Sequence, residues 1–88
     1  MISEFCKILN VHEEDVLGLS RQQFTSTTRQ LYWKLLYHND FTHTQIAALC
    51  GRTASTVLMG IRHVEEIIDV EPEFREMWEK IKHIKRNV

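Results

Sequence analysis

The side chains with chemistry to offer are two cysteines, five histidines, eleven Lys or Arg and twelve Asp or Glu. Their spacing excludes most of what such groups do. Cys6 and Cys50 are too few for a disulfide framework. Each sits among apolar neighbours, so both read as small buried hydrophobes in a reducing cytosol. His38, His43 and Cys50 match no zinc-site spacing. Gly18, Gly51 and Gly60 form no phosphate-binding glycine loop. Ser, His and Asp are present, but no motif brings them together for nucleophilic catalysis. The sequence therefore predicts no enzyme, no metal site and no cofactor.

One constellation remains, and it suits binding rather than catalysis. Gly51 and Arg52 precede Thr53, Ala54, Ser55 and Thr56, with Met59, Arg62 and His63 following at helical spacing. Hydroxyls and small groups at the start of a helix can approach base edges closely. Ser and Thr hydrogen-bond bases or phosphates, and Ala meets a thymine methyl. Backbone N–H groups at a helix start also suit a phosphate. The partner chemistry this would suit is double-stranded DNA; the alternative reading is a simple helical hairpin with good capping.

The charge distribution supports this. The 88-residue chain has a formal net charge of −1, which excludes a domain that is basic throughout. Split by segment, the charge is uneven. Residues 21–63 hold Arg21, Arg29, Lys34, Arg52 and Arg62 against Asp40 alone, a net of +4. Residues 64–79 hold seven acids against Arg75, and residues 1–20 hold four against Lys7. Residues 80–88 add four cations. The basic block coincides with the candidate DNA-facing residues, as phosphate contact requires.

The elements that must position these residues are helices. Ser3 is the expected cap of a first helix burying Phe5, Cys6, Ile8 and Leu9. A short helix follows near Glu13 to Leu17, with Val16 and Leu17 inward. Gly18 to Thr25 reads as a loop. Thr25 or Ser26 then caps a central helix, roughly Thr27 to His38. Thr42 and Gln45 form a capping box, and Ile46, Leu49 and Cys50 are the expected buried stripe behind it. Gly51 suits a helix C-cap and Thr53 the next N-cap. Val57, Ile61, Val64 and Ile68 form a buried seam, and Pro72 opens a last helix whose apolar stripe is Phe74, Met77, Trp78, Ile81 and Ile84. No segment alternates with period two. The expectation is one all-α domain over residues 1–88, with a helix-turn-helix at about 42–69. No apolar run reaches the roughly 18–20 residues of a membrane span, and Glu4 and Lys7 break any signal-peptide core. The expected location is cytoplasmic.

The stretch Gly51-Arg52-Thr53-Ala54-Ser55-Thr56-Val57-Leu58, with Arg62 and Glu65 beyond, resembles the C-terminal DNA-binding domain, domain IV, of the bacterial chromosomal replication initiator DnaA. That family carries a glycine-arginine turn and a D-H-[ST]-T-V recognition-helix start. Thr28-Arg29-Gln30 and the aromatic and leucine positions after them resemble the family's junction between basic loop and helix. The resemblance covers about residues 2–86. It implies a bundle of about five to six helices with a Trp-repressor-like helix-turn-helix and sequence-specific binding of duplex DNA. It implies that Arg21 reaches the minor groove and that Arg29 and Gln30 contact phosphates. Arg52, Thr53, Ala54, Ser55 and Thr56 fall on turn and recognition-helix positions, and Arg62 and His63 on positions facing the DNA backbone.

Two departures alter the expected target. Thr53 and Ala54 stand where the family has aspartate and histidine, and one lost base contact costs about 1–3 kcal/mol of discrimination. Gln22, Gln23 and Phe24 stand where relatives are rich in Arg or Lys. The expected site preference is therefore changed. The initiator's ATPase module does not fit within 88 residues, so its place would be elsewhere in a longer protein. The alternatives are a stand-alone mobile-element regulator, or a protein-interaction module that has lost DNA binding.

Overall fold

Capping chemistry and turn residues punctuate the chain into six helices among the described residues, which are 1–18 and 23–86 of the computed structural model. Helix α1 spans Ile2–Leu9 and α2 spans Glu13–Leu17. Helix α3 spans Gln23–His38, α4 His43–Cys50, α5 Ala54–Val70 and α6 Pro72–Ile81. The fold is all-α. Arg21 and Gln22 lie outside the described residues.

The caps follow local chemistry closely. The Thr42 hydroxyl accepts the Gln45 N–H at 3.1 Å, and the Gln45 side chain accepts the Thr42 N–H at 2.9 Å. Gly51 ends α4 at φ 65°, the left-handed region where a side chain is strained. Pro72 opens α6, where its missing N–H has no partner to lose.

The central helix differs from expectation at its start. It begins at Gln23, so Thr25 and Ser26 lie inside the helix and not at its N-cap position. Thr27 and Thr28 are buried, and tertiary packing thus overrides their turn preference. Met1, not Ser3, occupies the N-cap position of α1.

The core gathers around α3. Leu31, Leu35 and Leu36 pack with Phe5 from α1, Val16 from α2, Ile46 from α4, Val57, Ile61 and Val64 from α5, and Ile81 and Ile84 from the C-terminal segment. Three expected core residues face solvent instead: Ile8, Leu17 and Leu49, the last 62% exposed. Ala47 takes the buried place on α4. A helix as short as α4 or α2 gives too few turns for its apolar stripe to be told from its neighbours.

The chain's end is fastened to its middle by one buried amide. Asn39 Nδ2 donates to the carbonyls of Leu35 at 2.9 Å and Ile84 at 3.0 Å, and its Oδ1 accepts the Arg86 N–H at 3.0 Å. Among the described residues, no helix is long and apolar enough to cross a membrane.

Candidate nucleic-acid interface

Helix α5 starts at a hydroxyl cap. The Thr53 Oγ1 accepts the Thr56 N–H at 3.2 Å and donates to the Thr56 hydroxyl at 2.9 Å. Thr53 is thus first a cap. Thr56 accepts one bond and keeps its own proton to donate. Ser55 and Thr56 are exposed, Ala54 is half-buried, and Met59, one turn on, is 65% exposed.

Ser55, Thr56 and Met59 form one wall of an open cleft of about 610 Å³. The other wall is α3, through Ser26, Gln30 and Trp33. The walls are joined at the rim, where His63 Nδ1 lies 2.8 Å from Gln30 Oε1. An amide oxygen only accepts, so the Nδ1 proton is donated and Nε2 remains as the ring's other polar atom. At the floor, α3 and α5 meet closely. A Cβ added at Gly60 would stand 2.5 Å from Trp33 Cζ3, which only glycine avoids. Among the described residues no carboxylate lines the cleft.

The arginines occupy it unequally. Arg29 lines the cleft but is 6% exposed. Its Nε donates to the Val16 carbonyl and its Nη2 to the Asp15 carbonyl, both at 3.0 Å. The phosphate contact expected of Arg29 is therefore corrected: its guanidinium satisfies the carbonyls at the end of α2, which a helix terminus leaves open. Burial, then the like charge of Arg52, lower its pKa, partly offset by Asp15. Arg52 is half-buried and its Nη2 donates to the Gly18 carbonyl at 2.7 Å. Its Nη1 adds long contacts to the carbonyls of Cys50 and Gly51.

The remaining cations of the basic block are differently placed. Lys34 turns toward α6, with Nζ 3.4 Å from Glu65 and 4.7 Å from the centre of a Trp78 ring. Arg62 is exposed on α5, one turn before Glu65 and Glu66. Arg21 lies outside the described residues.

Six of the expected site residues thus line one cleft: Arg29, Gln30, Arg52, Ser55, Thr56 and His63. Thr53, Ala54 and Arg62 sit beside it on the turn and on α5. Sequence reasoning missed Ser26, Trp33 and Gly60. The bulky Trp33 opposite a mid-helix glycine is the signal that marks such a close approach.

The cysteines offer no reactive thiolate. Burial raises the pKa of both Cys6 and Cys50. At Cys50 the Trp33 indole N–H, then Arg52 and Arg29, pull the other way without reversing it. Among the described residues no three His, Cys, Asp or Glu side chains gather as a metal site. Models of known protein families, curated proteins and solved structures all fail to match the chain.

Proposed function

We propose that this domain binds double-stranded DNA, with α4, the turn at Gly51–Thr53 and α5 acting as a helix-turn-helix. The first turns of α5 enter the major groove. Arg62 and His63, with Gln30 across the cleft, contact backbone phosphates. The observation that carries this reading is the make-up of the cleft. It combines arginines, an amide, hydroxyls and a histidine without one carboxylate, in a chain whose acids outnumber its Lys and Arg residues. The resemblance to the initiator's DNA-binding domain supports the same reading, with site preference altered at Thr53 and Ala54.

Because Arg29, Lys34 and Arg52 are engaged inside the protein, few cations are left for phosphates. The salt dependence of binding should be correspondingly shallow. In fluorescence anisotropy with a random duplex, Arg62→Ala should weaken binding and reduce the slope of log affinity against log salt by about 0.9. Wild-type affinity and slope in that variant would overturn the assignment.

A second reading, a protein-interaction module, is favoured by the exposed Leu49. It flanks a groove shared with Phe41, whose ring carries the Arg86 guanidinium at 4.2 Å. That reading predicts no salt-dependent retention of duplex at all.

A further inference from the structure

The two-pronged side chains that line the cleft, Arg29, Gln30 and Arg52, are already engaged. Guanine is told apart chiefly by the arginine fork and adenine by a carboxamide. The Arg29 fork is closed on the Asp15 and Val16 carbonyls. The Arg52 fork is closed on Gly18, with the Cys50 and Gly51 carbonyls beside it. The Gln30 amide oxygen is held by His63. At the start of α5 the Thr53 hydroxyl has given its only proton within the cap, and Ser55 and Thr56 have only single hydroxyls to offer. This face also exposes an apolar side chain. Met59 is 65% exposed, one turn beyond Ser55, on an α5 face that otherwise has only small side chains up to Arg62.

We infer that Met59 is a specificity-determining residue, and that the surface around it reads the 5-methyl group of thymine in the major groove. The inference rests on the proposed DNA binding. Thymine is the natural base that presents an apolar group on the major-groove edge, so a face whose cleft-lining forks are closed and which exposes a methionine discriminates by burying that methyl. Methionine suits the task because its unbranched thioether adapts to an irregular surface. Arg62, two turns from the cap, holds the backbone, and Ser55 and Thr56 contribute single hydrogen bonds that do not distinguish one base.

The test compares two long alternating duplexes, poly(dA-dT) and poly(dA-dU), which differ only in that methyl. Wild-type protein should bind the thymine duplex about fourfold more tightly for each methyl buried, the equivalent of one CH₂-sized group. Met59→Ala should bind both duplexes alike, and Met59→Leu should restore the preference. Circular dichroism confirms that each variant is folded, as expected for an exposed position. Equal wild-type affinity for the two duplexes, with salt-dependent binding to both, overturns the methyl readout and leaves DNA binding standing. A thymine preference that survives Met59→Ala overturns the role of Met59. Absence of salt-dependent binding to either duplex overturns DNA binding itself, and this inference with it.

Discussion

Arg29 and Arg62 carry the same guanidinium to different ends. In the sequence both are cations of one basic block, and nothing local separates them. In the fold Arg29 is buried against the end of α2, whereas Arg62 is exposed on α5. Arg29→Ala should therefore act on stability. It leaves two carbonyls without their charged donor, a loss of roughly 2–4 kcal/mol, read as a lower urea midpoint. Under the proposed DNA binding, the salt slope for the folded fraction should stay unchanged. The residues that the sequence did reveal are those whose roles are set within a few positions. Thr42 with Gln45, Gly51, Thr53 and Pro72 all act through their own helix ends. Arg29 and Leu49 could not be read this way, because distant parts of the chain decide their burial.

The helices themselves were largely legible, since the apolar seams of α3 and α5 run over several turns. The length of α3 was not. Threonines and serine before Arg29 resemble a cap, and only the burial of Thr27 and Thr28 shows that the helix continues through them. The pairing of α3 with α5 was equally hidden, because it depends on Gly60 lying beneath Trp33. This contact sets the separation of the cleft's two walls. Gly60→Ala gains about 1 kcal/mol of helix propensity but forces a methyl against a buried ring. Overpacking of this kind typically costs about 1–3 kcal/mol. The net effect should be a lower midpoint in urea denaturation, with the m-value retained. A raised midpoint would mean that Trp33 yields easily and that the wall spacing is not fixed there.

For the molecule as a whole, the uneven charge was legible but its availability was not. A segment sum counts Lys34 and Arg29 as though both reached solvent, and neither does so freely. The core also sets a limit on pH tolerance. Tyr32 packs edge-on against Phe5, with ring centroids 5.2 Å apart. Burial foremost, then Cys50, Cys6 and Glu13, push its pKa up to about 12. The unfolded chain loses this proton near pH 10, well before the native state does. Tyr32 thus leaves stability untouched below about pH 10 and lowers it as pH rises toward 12, by roughly 3 kcal/mol across the window. Chemical denaturation in alkaline buffers should show this decline, and Tyr32→Phe should remove that part of it.

The Asn39 anchor has a consequence for how the domain can be joined to others. It brings Arg86 to Phe41, and Met1 lines the same groove, so the two ends of the described chain meet on one side. That groove shares no residue with the cleft between α3 and α5. Segments joined at these ends would therefore start from that groove and not from the cleft, the placement that suits a domain strung in tandem or set within a larger chain.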